Sequence, residues 1–335
     1  MPKQASWLAA FPIIWCTATA LAGPVANPLV DEGVRKLEAN NPRAALPLFL
    51  EAQKKSPRDP RALYLAGAAY QKLGESADAE KAFRGALALD GKLAEVRGEL
   101  GALLVEGKRW PEAARELAQA TTDKADLSEA WYNLGLAEMA QKHCPAAPQA
   151  FTTFTRLEPS NADGWINRSM AERLCKLTPA AAASAAQAVK VAPKDAEARL
   201  NLGLCLDEAG KAPEAVTAYT VATQLAPSNA TAWWSLGRAE RKRGKFDAAI
   251  AALTKAKDLS PTASRLADLG LAQRDAGKLK EAEATFRAAL AKEPTAHSVR
   301  FHLAQVLGAA GRCKEMDTEL ARLPANQKAK PACKK

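Results

Sequence analysis

The chain has 335 residues, of which 48% are hydrophobic and 25% are charged, and its formal net charge is +10. This composition excludes a chain too polar to fold, because so much apolar material can bury a large core. Length alone would suggest two or three domains.

The N-terminal segment MPKQASWLAAFPIIWCTATALAGP has the order of a secretory signal peptide. Lys3 precedes an apolar run over residues 7–21, and a small-x-small triplet ends at Ala22. We therefore predict a signal peptide over residues 1–22, cleaved after Ala22. The run is shorter than the ~20 residues of a membrane span, and Pro12 interrupts it. No stable membrane span is expected after cleavage, although an uncleaved anchor is the alternative. The expected location is a bacterial periplasm or the exterior of the cell.

Beyond the leader, the sequence repeats itself about every 34 residues. One series is a glycine, with Ser169 and Ala304 in two of its positions: Gly33, Gly67, Gly101, Gly135, Gly203, Gly237 and Gly270. A second series is an alanine: Ala45, Ala79, Ala113, Ala147, Ala181, Ala215, Ala249 and Ala282. A third series is a proline: Pro57, Pro159, Pro193, Pro227, Pro261 and Pro294. Three series in one register indicate a repeat architecture.

Each period reads as two helices. The stretch AWYNLGLAEMAQ places Trp131, Leu134, Leu136 and Met139 on one apolar stripe at helical spacing. A glycine such as Gly210 then ends the first helix in many of the repeats. The second helix carries Ala-x-x-x-Phe or a variant, which places a small residue one turn from a large one. The proline closes the repeat, since it cannot continue a helix.

The period, the Trp-x-x-Leu-Gly opening, the Ala-x-x-x-Phe motif and the closing proline resemble the tetratricopeptide repeat family. The resemblance covers residues 26–323 and implies an all-α, right-handed α-solenoid, a superhelix of about eight to nine helix–turn–helix repeats. Three parts are predicted: the signal peptide, a solenoid over residues 23–323, and a basic flexible tail over residues 324–335. The pattern weakens in two copies, where Leu117 and Ala185 replace the aromatic residue.

Six cysteines are present, and one of them leaves with the leader. Cys144 and Cys175 both fall near the turn between the two helices of successive repeats, so they are the first candidates for a disulfide. Cys313 and Cys333 are the second candidates, because both lie near the chain end. An exported location permits such bonds, but the odd count of five leaves one thiol over. Cys205 is interpreted as a small buried apolar residue.

Catalytic and metal-binding motifs are absent from the sequence. The three histidines, His143, His297 and His302, do not have the spacing of a zinc site. No nucleophile elbow and no phosphate-binding glycine loop occurs. We therefore predict no enzymatic activity, no metal and no cofactor.

A binding surface is implied by the resemblance. In this family the first helices line a concave groove, and the residue two before the repeat glycine often points into it. That position holds Asn133, Asn167 and Asn201, whose amides could donate to and accept from a peptide backbone. The alternative is that these asparagines serve helix packing. The predicted groove also contains apolar or aromatic residues, together with three arginines that would favour acidic residues at one end: Tyr132, Leu136, Met170, Leu204, Trp234, Arg238, Arg241 and Arg274.

The function indicated is a non-enzymatic scaffold or assembly factor of the cell envelope that binds a peptide or protein in this groove. Two alternatives are a structural spacer in an envelope complex and a protein that binds cell-wall polymer. The positive charge would suggest nucleic acid for a cytosolic chain. For an exported chain it indicates anionic envelope surfaces or acidic proteins, and solvated surface lysine and arginine is the plainer interpretation. We expect a protein or peptide partner and no nucleic acid.

Overall fold

The computed structural model describes residues 27–324 and 332–333, which contain eighteen helices and no strand. The predicted signal peptide and most of the predicted tail lie outside these residues. The chain divides into two compact units, residues 1–176 and 177–335. Unit 1 contains α1 (Pro28–Glu38), α2 (Pro42–Lys55), α3 (Pro60–Leu73), α4 (Ser76–Leu89), α5 (Ala94–Glu106), α6 (Trp110–Asp123), α7 (Ser128–Ala140), α8 (Ala146–Leu157) and α9 (Ala162–Leu174). Unit 2 contains α10 (Thr178–Val191), α11 (Ala196–Glu208), α12 (Ala212–Leu225), α13 (Ala230–Lys242), α14 (Phe246–Leu259), α15 (Ala263–Asp275), α16 (Leu279–Lys292), α17 (His297–Ala309) and α18 (Cys313–Ala321).

Two helices correspond to each period of the sequence, as predicted. Odd-numbered helices are the first helices of the repeats, and even-numbered helices are the second. Within each unit every helix packs against the next one along the chain. The predicted all-α solenoid of helix–turn–helix repeats is therefore confirmed. The boundary between the units falls in the fifth repeat, between α9 and α10. That repeat is also the one with Ser169 and Ala185 at its glycine and aromatic positions.

The repeat glycine is required by close packing between the two helices of one repeat. A Cβ atom added to Gly135 would lie 2.7 Å from Cζ of Phe151, and one added to Gly203 would lie 2.4 Å from Cε1 of Tyr219. The glycine and the large residue are sixteen positions apart in both pairs. Both rings are fully buried. The small residue thus admits the large one, and together they fill the interior of the repeat.

The tryptophan of the opening motif ties its helix to the loop that precedes it. The indole N–H groups of Trp131, Trp165 and Trp233 each donate to the carbonyl oxygen six residues earlier, at 2.9 Å. An arginine does the same in other repeats, as Arg300 donates to the carbonyl of Pro294 at 2.8 Å. Six repeats thus carry a long side chain with an N–H donor at this position, tryptophan in three and arginine in three. The other three repeats have leucine there: Leu29, Leu63 and Leu266.

All nine turns that end the first helices place one residue in the left-handed backbone region. Glycine occupies this position in five repeats, for example Gly210 with φ of 75°. The other four repeats use asparagine or lysine, with φ between 56° and 58°: Asn40, Lys108, Lys142 and Lys176. Asparagine tolerates this conformation comparatively well, whereas lysine adopts it at a steric cost. The turn geometry is thus constant although its glycine is not.

The described residues contain two disulfides, and these are the two pairs suggested by the sequence. Cys144 follows α7 and bonds to Cys175 at the end of α9, with a Cα–Cα distance of 5.7 Å. Cys313 begins α18 and bonds to Cys333, also at 5.7 Å. Cys205 is buried in α11 and takes part in no disulfide within the described residues. The first bond joins two successive repeats, and the second fixes residue 333 to the last repeat.

We expect mass mapping of the non-reduced protein to recover both of these cross-linked peptide pairs, with the Cys205 thiol reduced. Each bond closes a loop of 31 or 20 residues, and the loss of either should cost about 2–4 kcal/mol of unfolding free energy. Thermal melts with and without a reducing agent measure that cost. Recovery of Cys144, Cys175, Cys313 and Cys333 as free thiols would contradict the prediction.

Candidate functional site

The first helices form the inner side of each unit. In unit 1, α5 contacts α7 and α7 contacts α9, and in unit 2, α11, α13, α15 and α17 contact one another in the same successive way. The second helices of the described residues have no comparable contacts among themselves. Helices that meet across consecutive repeats must lie on the tighter side of the stack. Side chains that project from the first helices, away from the second helices, therefore share one face within each unit.

Two positions on the first helices decide the chemistry of this face. We call the residue two before the repeat-glycine position the inner slot, and the residue three before it the support slot. The inner slot holds Glu99, Asn133 and Asn167 in successive repeats of unit 1. In unit 2 it holds, in order, Asn201, Ser235, Asp268 and His302.

In unit 1, one asparagine in the inner slot is used to join two repeats. The Asn167 amide nitrogen donates to the phenol oxygen of Tyr132 at 2.9 Å and to the carbonyl of Asp163 at 3.0 Å. The Tyr132 ring is only 7% exposed and packs on Phe154, with ring centroids 5.0 Å apart. Asn167 therefore satisfies a buried hydroxyl in the support slot of the preceding repeat.

Asn133 differs, although it has the same slot and the same residue type. It is partly exposed, and its side chain makes no hydrogen bond to any other described residue. The support slot of the preceding repeat is Gly98, which has no side chain to offer. The Asn133 amide thus keeps both its donor and its acceptor capacity for a ligand.

The same link between support slot and inner slot recurs in unit 2. Trp234 donates its indole N–H to Oδ2 of Asp268 at 2.6 Å. The Arg238 guanidinium lies over the Trp234 ring, 4.9 Å from its centroid, and its Nε is 3.8 Å from the Asp268 carboxylate. Aromatic ring, carboxylate and guanidinium are thereby held together by α13 and α15.

A second polar cluster lies on the same helices, toward their C-terminal ends. Asp275 accepts from Arg241 at 2.9 Å and from Arg274 at 2.8 Å. Burial raises the pKa of Asp275, but the hydrogen bonds from these two arginines outweigh it and hold the pKa below its usual range. Arg274 also donates to Gln305 of α17 at 2.9 Å. Burial lowers the pKa of the neighbouring His302 despite its hydrogen bond with Gln305, and the charges of Arg274 and Arg241 add to this effect.

The profile of the tetratricopeptide repeat matches six overlapping segments: residues 30–94, 67–129, 99–162, 178–230, 208–264 and 267–315. These segments cover most of the chain. The chain belongs to the tetratricopeptide repeat family. No curated protein sequence matches it at a significant level.

Solved structures with the tetratricopeptide fold resemble this chain at low sequence identity. A chain from the crystal structure of the APC/C hetero-tetramer Cut9–Hcn1 matches with a TM-score of 0.54 and 19% identity, covering 79% of this chain and 52% of that chain. PilF of Pseudomonas aeruginosa has a TM-score of 0.50 and 21% identity over 59% of this chain and 90% of its own. YrrB, described as a TPR protein with an unusual peptide-binding site, has a TM-score of 0.48 and 22% identity over 54% and 94%. At these identities the similarity establishes the fold alone.

Membership of the family establishes a general role, whereas the specific role of this chain must be argued from its candidate site. Tetratricopeptide repeats are interaction scaffolds that bind other proteins or peptides, and the fold is typically non-catalytic. Within the described residues, no group of histidine, cysteine and carboxylate side chains is arranged to hold a metal ion. None of the described helices is both long and apolar enough to cross a bilayer.

The structure divides the predicted groove residues of this tetratricopeptide chain into open and closed positions. Asn133 and Asn167 lie in unit 1, whereas Asn201 lies in unit 2 and is only 4% exposed. Asn201 and Tyr132 are buried in the structure, so we leave them out of the proposed surface. Leu136 and Leu204 are partly buried and pack against the cores of their own units. Asn133 and Asn167 are partly exposed, and so are Met170, Trp234, Arg241 and Arg274, while Arg238 is exposed.

Two residues in the inner slot were missed by the reading of the sequence. Glu99 and His302 stand in register with the asparagines, one before and one after the slot positions from Asn133 to Asp268 that the sequence pattern indicated. Burial is the main cause that raises the pKa of Glu99, to about 7, and the nearby carboxylates of Glu129 and Glu106 add to it. The register of the repeat glycines was the signal that could have found both residues.

Proposed function

We propose that this chain is an exported, non-enzymatic scaffold or assembly factor of the bacterial cell envelope. It holds an extended segment of a partner protein on the face of its first helices. The observation that carries the proposal is the contact of successive first helices, which lines up their inner slots on one face of each unit. Asn133 supplies an amide on that face with unused hydrogen-bonding capacity.

The face offers two kinds of contact to an extended segment. The Asn133 amide can pair with a peptide group of any sequence, since it both donates and accepts. Side chains of the segment would meet Met170 and the exposed edge of Leu136, which are both partly exposed. Backbone pairing would give affinity with little choice of sequence, and the apolar contacts would supply some of that choice.

The proposed location rests on two features. The signal-like order of residues 1–22 is a sequence feature and lies outside the described residues. The Cys144–Cys175 and Cys313–Cys333 disulfides support this location, because disulfides persist in an oxidising compartment such as the periplasm.

Substitution of Asn133 and of Asn167 should have opposite consequences. Asn133→Ala should leave the melting temperature unchanged and weaken partner binding by about 0.5–1.5 kcal/mol, the value of one hydrogen bond. Asn167→Ala should lower the unfolding free energy by about 0.5–1.5 kcal/mol, because it removes the hydrogen bond to the buried Tyr132 hydroxyl. Partner affinity and thermal stability, measured on both variants, separate the two roles.

Capture of partners from an envelope extract under mild cross-linking tests the proposal itself. We expect the wild-type chain to retain an envelope protein and Asn133→Ala to retain less of it. Retention that is identical in the two proteins would show that the partner uses another surface, as a structural spacer would. Retention of cell-wall polymer in place of protein would support the third alternative.

A further inference from the structure

We propose that Arg238, stacked on Trp234, is a recognition point for a carboxylate of an acidic partner segment, and that Asp268 is the internal competitor for that arginine. This inference rests on the proposed function and names the chemistry of the segment that unit 2 selects. It concerns α13 and α15 alone.

Arg238 has hydrogen-bonding capacity that its neighbours do not use. Its side chain is 46% exposed, and its only ion pair within the described residues is the contact of Nε with Asp268 at 3.8 Å. That distance is too long for a direct hydrogen bond. A guanidinium carries five N–H donors in a planar fork that matches a carboxylate. The Trp234 ring attracts the guanidinium, whose central carbon lies 4.9 Å from the ring centroid, and so favours one position of the side chain.

A second arginine that lies over a tryptophan ring, Arg168, has a guanidinium that is hydrogen-bonded to its neighbours. Arg168 of α9 lies 5.3 Å from the Trp165 ring centroid, and its side chain is 24% exposed. Its Nε donates to Glu172 at 2.9 Å, and a terminal nitrogen donates to Thr155 at 3.2 Å. Stacking on tryptophan is therefore common to both pairs. The exposed, incompletely paired fork belongs to Arg238.

The charge around Arg238 favours an acidic ligand. The face presents Arg238, Arg241 and Arg274 against two carboxylates, Asp268 and Asp275. Both Asp275 oxygens are engaged, one with each of the other two arginines. Only Asp268 is left to balance Arg238, and it does so without direct contact. A carboxylate from a partner could form the close, charge-assisted pair that Asp268 does not form.

Asp268 has two roles that a single substitution can separate. Its Oδ2 accepts the Trp234 N–H at 2.6 Å, which holds the ring in place, while its charge attracts Arg238 and repels an incoming carboxylate. Asparagine keeps an acceptor for the indole and removes the charge. Asp268→Asn should therefore strengthen the binding of an acidic segment, which is not the usual effect of altering a binding face.

The test uses a fluorescently labelled ten-residue peptide with glutamate at alternate positions, a matched peptide with glutamine, and the full chain. Anisotropy titrations should show that the glutamate peptide binds and the glutamine peptide binds about tenfold more weakly. Arg238→Gln should lose about tenfold in affinity for the glutamate peptide, and Asp268→Asn should gain about threefold. Arg243→Gln is the matched control, since it removes the same charge next to α13, away from Trp234, and should change little. Each variant is also melted to verify that it folds like the wild type.

Two results would overturn the inference. One is equal loss in Arg238→Gln and Arg243→Gln, which would mean attraction to net charge alone. The other is failure of Asp268→Asn to bind the glutamate peptide more tightly than the wild type does. Either result leaves the proposed function standing if an envelope partner is still captured and Asn133→Ala still weakens that capture. If the capture experiment alone fails and the peptide results are as expected, the proposed function is contradicted and the carboxylate site at Arg238 is supported.

Discussion

Gly203→Leu should lower the unfolding free energy by ~1–3 kcal/mol or more, since added volume in a packed core forces side chains and backbone apart. Even the first added carbon would lie 2.4 Å from Cε1 and 2.5 Å from Cδ1 of Tyr219. Tyr219 is 1% exposed and stands in a core with Ala215 and Leu236, so it has no open space to move into. Calorimetric melts of the variant and the wild type measure the loss.

Gly98→Ala, at a helical glycine in α5, is the control for the loss of a glycine as such. The nearest atom to an added Cβ there is the Cβ of Ala130 at 3.9 Å, an ordinary contact. Replacing glycine by alanine inside a helix should then stabilise by roughly 0.5–1 kcal/mol. Gly203→Ala makes the same chemical change against Tyr219 and should destabilise. If both alanine variants melt alike, the packing role given to the repeat glycine is wrong.

The fold could be predicted from the sequence because the same packing pattern recurs in many repeats. One small residue facing one large residue sixteen positions on would be a weak signal in a single helix pair. Repeated in register, as in Gly67 with Phe83 and Gly270 with Phe286, it leaves a single architecture. The pairing of Cys144 with Cys175 followed from the same frame, because equivalent turns of adjacent repeats lie at one edge of the stack.

The roles of the inner-slot residues could not be predicted from the slot alone. Asn133 and Asn167 are equivalent in sequence, yet one is unbonded and the other is committed to a buried hydroxyl. The difference lies one repeat earlier, where the support slot holds Gly98 in one case and Tyr132 in the other. A side chain in this position therefore takes its function from its neighbour in the stack. Asn133, Asn167 and Asn201 therefore share a slot without sharing a role.

Glu99→Gln should stabilise the protein at pH 8 and leave its stability at pH 4.5 nearly unchanged. Burial, reinforced by the carboxylates of Glu129 and Glu106, raises the pKa of Glu99 from 4.5 to about 7 in the folded chain. A carboxyl group whose folded pKa is raised binds its proton more tightly in the folded state. Its cost to stability is absent below pH 4.5, grows as the pH rises, and is complete above about 7. This rise in the pKa of Glu99 corresponds to at most roughly 3 kcal/mol of unfolding free energy, and the partial exposure of the side chain reduces this to about 1–2 kcal/mol.

Glutamine keeps the shape of the side chain and cannot ionise, so the gain from Glu99→Gln must follow the titration of the carboxyl group. The unfolding free energies of the variant and the wild type are compared by melts at pH 4.5, 6, 7 and 8. The difference should grow between pH 4.5 and pH 7 and then become constant. Glu32→Gln, at an exposed position of α1 in the same unit, removes the same charge and controls for the change in net charge. A gain of equal size at every pH would assign the effect to packing. Because Glu99 occupies the same slot as Asn133 one repeat earlier, its ionisation also sets the charge that a bound segment meets on that face, so the affinity of an acidic segment for unit 1 should fall as the pH rises through 7.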